Sequence, residues 1–206
     1  MATSNSADGA IQIPELPFPL GWLGEPRAWA TKQAGLTITA GPRSDWFIDP
    51  AGGVQALNAP ALLGQPDGDF VLSARAEVEF ESTFDAGVLA VWQDEHRWAK
   101  LCFEYSPQGK PMVVSVVTRG SSDDCNSFVV QSNAVWLRIS RVGRTYVFHA
   151  STDGSWWEFV RYFTLEETSA VQVGFEAQSP MGESCAVSFS QITFSARTLT
   201  EMRDGS

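Results

Sequence analysis

From Phe70 to the end of the chain, short runs rich in Val, Phe, Tyr and Trp recur, and each run is followed by a turn signal. Apolar and polar residues alternate within many of these runs, as is typical of half-buried β-strands. The predicted strands are Phe70–Phe80, Gly87–Gln93, Arg97–Tyr105, Met112–Arg119, Ser127–Gln131, Val135–Arg141, Tyr146–Ser151, Trp156–Phe163, Val171–Gln178 and Cys185–Ser195. About ten strands without intervening helices do not form a parallel α/β sheet, because parallel crossovers usually require helices. The pattern predicts an all-β fold, an antiparallel sandwich of two sheets.

The turns between these strands carry their own signals. Val142-Gly143-Arg144 and Thr152-Asp153-Gly154-Ser155 place Gly where a positive φ is needed and therefore predict hairpins. The proline-rich part of the chain, 11–68, is predicted to add short strands only. These are Trp29–Lys32, Leu36–Thr39 and Trp46–Asp49, and a single helical turn is predicted over Leu165–Thr168. No repeat of fixed period is present, which argues against a propeller or a solenoid.

The size and polarity of the chain indicate one domain. With 206 residues and 44% hydrophobic residues it can bury one substantial core, which we expect to span 11–198. Residues 1–10 are small and polar and are predicted to be a disordered tail without a secretory signal, and 199–206 a C-terminal tail. No apolar run has the roughly 20 residues that a membrane helix needs.

The net charge and the cysteines limit the classes of partner and the compartment that we expect. A formal net charge of -10 disfavours nucleic acid and anionic membrane surfaces. The cysteines Cys102, Cys125 and Cys185 are odd in number and widely spaced, so we expect three reduced thiols and a cytoplasmic protein.

The residue patterns of common cofactor sites are missing from the sequence. His96 and His149 are the only histidines, and no cluster of His, Cys and carboxylates accompanies them at metal-ligand spacing. Nucleophile elbows, phosphate loops and dinucleotide glycine patterns are also missing. We therefore expect no metal and no cofactor, with calcium bound by loop residues such as Asp67 and Asp69 left open as an alternative.

Several motifs occur in an order and spacing that resemble one known family over most of the chain. They are Ser44-Asp45-Trp46-Phe47-Ile48-Asp49-Pro50, Asp85-Ala86-Gly87-Val88-Leu89-Ala90-Val91-Trp92-Gln93-Asp94-Glu95, Trp98-Ala99-Lys100-Leu101-Cys102-Phe103-Glu104-Tyr105, Val116-Val117-Thr118-Arg119-Gly120, Ser151-Thr152-Asp153-Gly154 and Val173-Gly174-Phe175-Glu176-Ala177-Gln178-Ser179-Pro180. The family is DUF1349. The resemblance implies a concanavalin A-like sandwich of the lectin and glucanase superfamily, and one member is named as a regulator of enolase.

The chain departs from the family pattern at two places. Ser122-Asp123-Asp124-Cys125 stands where relatives carry Ser-Asp-Trp-Ser, so an acid replaces a Trp that could stack on a ligand. Cys102 stands where relatives usually have Gly between the Lys and the Glu of the central strand.

The predicted strand Arg97–Tyr105 has one polar-aromatic face. Alternation places Ala99, Leu101, Phe103 and Tyr105 on the core side and Trp98, Lys100, Cys102 and Glu104 on the other. An aromatic plane, a cation and a carboxylate together can stack on a sugar or polyol and bind its hydroxyls. The alternative is a cross-strand charge pair on a solvated face.

A second strand, Val135–Arg141, repeats this division, with Trp136, Arg138 and Ser140 opposite Val135, Leu137 and Ile139. If the polar faces of both strands lie on one concave sheet, they form a groove with further residues at its rim. The predicted ligand-binding residues are Asp45, Trp46, Gln93, Trp98, Lys100, Glu104, Trp136, Arg138 and Gln178. The alternative is that these are scattered surface residues.

Glu77, Glu79 and Glu81 alternate on another strand, in partial likeness to the catalytic strand of laminarinase-like glycoside hydrolases. Alternate residues lie about 6.7 Å apart, so such carboxylates could divide the nucleophile and acid roles. Three acids on a solvated face are the simpler interpretation. The leading hypothesis is therefore a non-catalytic carbohydrate- or polyol-binding module. The alternatives are a glycoside hydrolase that uses this strand, or a regulatory domain that binds a protein partner.

Overall fold

The protein is a sandwich of two antiparallel seven-stranded sheets, described from a computed structural model that covers residues 9–32, 35–166 and 170–206. The first eight strands are β1 (Gly21–Leu23), β2 (Ala28–Lys32), β3 (Gly35–Ala40), β4 (Trp46–Ile48), β5 (Gln55–Leu57), β6 (Ala61–Gly64), β7 (Phe70–Glu79) and β8 (Ala86–Asp94). The other eight are β9 (Arg97–Tyr105), β10 (Pro111–Arg119), β11 (Ser122–Val129), β12 (Ala134–Val142), β13 (Thr145–Ser151), β14 (Glu158–Phe163), β15 (Gln172–Gln178) and β16 (Cys185–Ser195). The described ranges contain no helix, and hence none that could cross a membrane.

The two sheets have different strand orders. Sheet I runs β1-β6-β15-β8-β9-β10-β11, and sheet II runs β14-β13-β12-β7-β16-β3-β2. The hairpin β4-β5 forms a separate two-stranded sheet. Because β9 is central in sheet I while β12 belongs to sheet II, the outer faces of these two strands point away from each other.

The main core lies between the sheets and is made by one side of each strand. On β9 the inward residues Ala99, Leu101 and Phe103 are fully buried, and on β12 Leu137 and Ile139 are too, which confirms the predicted alternation. Each of the larger side chains, Leu101, Phe103, Leu137 and Ile139, contributes about 1.5–3 kcal/mol through burial. At one edge of the sandwich an ion pair of 2.8 Å joins Arg161 of β14 to Asp123 of β11 and links the sheets.

A second apolar cluster lies on the outer face of sheet I, beneath the β4-β5 hairpin. Trp46 of β4 and Trp98 of β9 are buried there, with ring centroids 5.8 Å apart, and Trp92 packs 4.8 Å from Trp46. The indole Nε1 of Trp46 donates a hydrogen bond of 3.0 Å to the carbonyl of Ala59. The hairpin is therefore fixed on the sheet, and it brings the preceding residue, Asp45, over β9.

The all-β sandwich is confirmed, and most predicted strands match to within one or two residues. The hairpin glycines Gly143 and Gly154 have the expected positive φ of 59° and 78°. The main error is β11, which begins at Ser122 rather than Ser127 because its acidic residues look like a turn but lie on an edge strand that water can reach. The prediction for Leu165–Thr168 falls partly outside the described residues, and Leu165 and Glu166 are not helical.

The segment 199–206 is not a free tail but packs on the outer face of sheet II. Leu199 is buried against Val71 and Val147. The imidazole Nε2 of His149 lies 2.9 Å from the carbonyl oxygen of Met202, and Arg138 donates a hydrogen bond of 3.1 Å to the carbonyl of Gly205. The predicted tail over 1–10 lies almost wholly outside the described residues.

Candidate functional site

The candidate site lies on the outer face of sheet I, and strand register assembles it. Gly174, Ala90, Lys100, Val116 and Asp124 lie directly opposite one another across five strands, from β15 to β11. A second row crosses the sheet two residues further along β9. A third row lies another two residues along and carries Gln178 on β15 and Glu104 on β9, with Ala86 of β8 between them. The small residues on β8 leave room above the sheet for the long side chain of Lys100.

Lys100 is buried, with its ammonium held by two partners. Its Nζ donates to Oε1 of Gln178 at 2.7 Å and to Oδ1 of Asp45 at 3.0 Å. Because Nε2 of Gln178 donates to the carbonyl of Phe84 at 3.0 Å, the orientation of this amide is fixed at both ends. The ion pair thus ties β9 to Asp45, which precedes the β4-β5 hairpin. The bonds of Gln178 tie β9 to the loop before β8.

Phe84 belongs to that loop and has a backbone conformation unusual for a bulky residue, with φ of 69°. Asp85, which is fully buried, holds the loop in place. Its carboxylate accepts hydrogen bonds from the backbone N–H groups of Glu81 and Ser82 and from the hydroxyl of Ser179 at 2.7 Å. Strained residues that their surroundings hold in place occur preferentially at functional sites. The loop held in this way places the ring of Phe84, which is 37% exposed, at the mouth of the site.

These groups enclose a small open pocket of about 130 Å³. Its lining combines one cation, three carboxyl groups and an amide with apolar walls. The lining residues are Asp45, Phe47, Phe84, Lys100, Glu104, Val116, Asp124 and Gln178. A volume of this order holds a few water molecules or part of one sugar ring.

The charge of Lys100 persists because carboxyl groups surround it. Burial on its own lowers the pKa of the ammonium, but the attraction of Asp45 and Glu176 outweighs burial and holds the pKa above its usual value. Glu176 lies on β15 within the sheet face and is fully buried, and neither of its carboxyl oxygens has a hydrogen-bond partner among the residues that the structure describes. Lys100 is therefore charged at neutral pH.

Burial has the opposite effect on the acids of the site, because it raises the pKa of a carboxyl group. Burial raises the pKa of Glu176 to about 8, and it also raises the pKa of the half-buried Glu104 to about 8, in both cases against the lowering effect of Lys100. Partial burial raises the pKa of Asp124 as well. At neutral pH Glu104 and Glu176 are mainly carboxylic acids, which can donate a hydrogen bond as well as accept one.

Four of the nine predicted ligand-binding residues line this pocket: Asp45, Lys100, Glu104 and Gln178. Trp98 was expected to be a partly exposed platform, and this is wrong, because Trp98 is fully buried beneath the β4-β5 hairpin. Trp46 is 1% exposed and anchors the hairpin. Gln93 is buried near the end of β8 and does not line the pocket.

Trp136 and Arg138 were expected to share a groove with β9, and the structure contradicts this because β12 lies in the other sheet. There Trp136 packs against Arg75, and its Nε1 donates to Gln191 at 2.9 Å. The guanidinium of Arg138 lies 3.6 Å from the ring centre of Trp157. Both residues belong to the outer face of sheet II.

The three glutamates proposed for hydrolysis also lie away from the pocket. Glu77 and Glu79 are on β7 of sheet II, and Glu81 follows that strand. Glu77 forms an ion pair of 2.6 Å with Arg75, and Glu79 and Glu81 are exposed. They form the solvated acidic face that was the simpler interpretation.

Within the described ranges, no cluster of three or more His, Cys, Asp or Glu has the arrangement of a metal site. His149 is buried beneath the segment 199–206, where burial lowers its pKa to about 4. Asp69 accepts a hydrogen bond of 2.8 Å from the backbone of Gly143 and so stabilises the β12–β13 turn. The three cysteines are free thiols, and Cys125 lies in strand β11 rather than in a loop.

Sequence reasoning missed four members of the site: Phe47, Phe84, Val116 and Asp124. Asp124 stands at the departure from the family pattern, one residue from Asp123, and alternation on β11 turns the two to opposite faces. The other departure, Cys102, is buried between Lys100 and Glu104, and burial raises the pKa of its thiol well above the ordinary value. It is therefore an apolar part of the sheet face and not a reactive thiolate.

The fold and the pocket define a class of protein, a β-sandwich domain with a small polar-aromatic pocket on the outer face of one sheet. Within this class the chain belongs to the DUF1349 family, described as a protein of unknown function, which it matches over residues 22–197. The resemblance inferred from the sequence motifs is confirmed. The Saccharomyces cerevisiae protein named "Regulation of enolase protein 1" is 25% identical over 177 residues, which cover 85% of this chain and 88% of the yeast protein.

Solved structures share the fold. A functionally unknown protein from Saccharomyces cerevisiae superposes with a TM-score of 0.80 at 23% identity, over 86% of this chain and 96% of the other. The carbohydrate-binding module CBM66 from Bacillus subtilis gives 0.54 at 15% identity, over 85% and 96%. The GH43 protein BlXynB from Bacillus licheniformis gives 0.71 at 12% identity, over 92% of this chain but only 38% of its own.

Proposed function

We propose that this protein is a non-catalytic binding domain for a carbohydrate or another small polyol, and that the ligand occupies the pocket around Lys100. The observation that carries the proposal is the lining of this pocket, in which an exposed aromatic ring stands beside a convergent set of hydrogen-bonding groups. Small-molecule sites characteristically combine apolar walls with a few placed polar groups.

The polar groups match the hydroxyls of a polyol. Two of the three protons of the Lys100 ammonium are engaged by Asp45 and Gln178, which leaves one donor for a ligand oxygen. Asp45 and Asp124 supply acceptors, and Glu104, protonated at neutral pH, supplies both a donor and an acceptor. A hydroxyl both donates and accepts, so adjacent hydroxyls can be satisfied by such a mixed set.

Phe84 takes the stacking role that the sequence assigned to Trp98. Its ring is exposed at the pocket mouth, and its backbone is held in a strained conformation by the hydrogen bonds of Asp85 and Gln178. An aromatic face held rigidly in this way can stack on a ring at little cost in conformational entropy. Phe47 provides a second apolar wall.

The relatives with named functions support this class of ligand. CBM66 is by name a carbohydrate-binding module and has the same fold at nearly full length. BlXynB is by name a GH43 protein, and this chain matches 38% of its length, so the likeness is to a part of that protein. The acids considered for hydrolysis lie on sheet II, far from the pocket lining, which is why we prefer binding to catalysis.

A second candidate is a regulatory domain that binds another protein. The name of the yeast relative, which refers to regulation of enolase, favours it. The two functions are compatible, since a domain that binds a sugar could transmit that binding to a partner.

An NMR screen tests the first proposal. A monosaccharide has about 12 non-hydrogen atoms, and about 0.3 kcal/mol per atom gives a dissociation constant of about 2 mM, so the titration must reach several tens of millimolar. We expect neutral mono- and oligosaccharides and polyols to shift the amide signals of Phe84, Lys100 and Gln178. The proposal is contradicted if a sugar binds but shifts only signals outside these residues, or if no compound shifts any signal. In a separate assay, turnover of a chromogenic β-glucan would favour the hydrolase alternative.

A further inference from the structure

The pocket contains more carboxyl groups than cations. Asp45, Glu104 and Asp124 line it, Glu176 lies in the sheet face beside it, and the single cation that lines it is Lys100. That cation is engaged, because the ammonium is already paired with Asp45 at 3.0 Å and bonded to Gln178. The remaining carboxyl groups form no ion pair with any residue that the structure describes.

Glu104 and Asp124 are these uncompensated groups. Within the described part of the chain neither forms an ion pair. Burial raises the pKa of Asp124, and the guanidinium of Arg161, whose charge opposes this rise, is bonded to Asp123 on the other face of β11. Asp124 lies two strands from Lys100, on the side opposite to β15, toward which the ammonium extends. The pocket therefore has one neutralised end at Lys100 and one acidic end at Asp124.

The aromatic walls suit a positive charge as well. Phe47 and Phe84 line the same pocket, and the face of an aromatic ring attracts a cation within about 6 Å. Phosphorylated and acidic sugars, in contrast, would bring their negative groups close to the carboxylate of Asp124.

We infer that the pocket selects ligands that carry a protonated amine, such as an amino sugar or an amino polyol, over their neutral and anionic counterparts. This inference rests on the proposed function and specifies its ligand class. The amine occupies the acidic end, between the carboxylate of Asp124 and the aromatic walls, while ligand hydroxyls meet Lys100 and Gln178. No bond is made or broken, and the proton stays on the amine.

Four sugars that share one ring pattern test the inference: glucose, glucosamine, N-acetylglucosamine and glucuronate. Each is titrated by NMR into the full chain at pH 7 and low ionic strength. We expect glucosamine to bind about five- to tenfold more tightly than glucose, because a partly screened ion pair gives a gain of this order. N-acetylglucosamine, in which the charge is removed, should lose this gain, and glucuronate should bind more weakly than glucose.

A pair of neighbouring variants locates the effect. Asp124→Asn should reduce the ratio of glucosamine to glucose affinity toward one. Asp123→Asn makes the same change at the adjacent residue. Because Asp123 faces Arg161 and not the pocket, this variant should leave the ratio unchanged. A melting curve of each variant verifies that both are folded.

The outcomes separate the inference from the proposed function. Equal affinity for glucose and glucosamine, or tightest binding of glucuronate, overturns the charge selectivity and leaves a sugar-binding site. An unchanged ratio in Asp124→Asn overturns the location. Absence of binding by all four sugars and throughout the wider screen overturns both.

Discussion

Lys100 of β9 reaches across β8 to Gln178 of β15, with Nζ and Oε1 2.7 Å apart, while Asp45 closes over the same ammonium. A buried cation of this kind is costly unless it is paired, and the surrounding carboxyl groups supply that compensation. The same contacts hold the β4-β5 hairpin and the Phe84 loop at the sheet. The pocket and a part of the fold thus depend on one side chain.

The first prediction concerns this ion pair. Lys100→Met preserves much of the volume but leaves the carboxylate of Asp45 without its cation, so the free energy of unfolding should fall by about 3 kcal/mol. Arg97→Met is the control, because the pair that Arg97 forms with Asp94 is more than one-third exposed on both sides and should contribute less than about 1 kcal/mol. Chemical denaturation measures both, and equal losses would contradict the structural role of Lys100.

The second prediction concerns pH. Glu176 has an ordinary pKa of 4.5 and a folded pKa of about 8, so between these values the folded state binds more protons than the unfolded state. Its contribution to stability therefore falls as the pH rises through this window and becomes constant above about pH 8. Glu104 acts in the same direction. His149, with a folded pKa of about 4 against 6.5, has the opposite effect only below pH 6.5.

The melting temperature should accordingly decline from pH 6.5 to 8.5, and Glu176→Gln should flatten this decline because the amide cannot ionise. Glu79→Gln, on the exposed face of β7, should leave the decline, the fold and ligand binding unchanged. A pH series of thermal melts provides the data. Identical slopes in the wild type and in Glu176→Gln would show that burial of this carboxyl group does not control the slope.

The third prediction concerns Trp98, which the structure places in the apolar cluster beneath the hairpin. Trp98 and Phe103 are both fully buried, on opposite faces of β9. Truncation of either residue to Ala should cost about 3–5 kcal/mol, through lost burial and the cavity left behind. Urea denaturation of the two variants compares them directly, and a Trp98→Ala protein of nearly wild-type stability would restore the role of an exposed platform.

The fourth prediction concerns the thiols. Cys125 is exposed on β11, whereas Cys102 and Cys185 are buried, with pKa values raised by burial. A thiol reagent should therefore modify one cysteine in the native protein and three after denaturation. A count below three in the denatured, unreduced protein would indicate a disulfide bond and contradict the expectation of reduced cysteines.

The sequence was sufficient to predict the sandwich and part of the pocket, for identifiable reasons. Alternation along β9 correctly separated Phe103 from Lys100 and Glu104, since the period of a strand is a local property. It could not tell that the β4-β5 hairpin covers Trp98, because what covers a face depends on distant residues. For the same reason it could not assign β12 to the other sheet.

Neither Phe84 nor Asp124 could be assigned to the pocket from the local sequence. Phe84 has the positive φ that sequence patterns lead one to expect of Gly, Asn or Asp, and only the hydrogen bonds around Asp85 make it possible. Asp124 resembled a turn residue, and its orientation depends on the pairing of β11 with β10. Both were identified only once tertiary contacts were known.

The central claim is that the pocket beside Lys100 binds a sugar or polyol, and Phe84 allows it to be tested with little effect on stability. Phe84→Gly removes the exposed ring and also relieves the strain of the positive φ, so the lost burial and the relieved strain should offset to within about 1 kcal/mol. Trp156→Ala is the control, since Trp156 is 71% exposed and does not line the pocket. NMR titration with the best ligand of the screen should give at least tenfold weaker binding for Phe84→Gly and wild-type affinity for Trp156→Ala. Wild-type affinity in a folded Phe84→Gly protein would contradict the account.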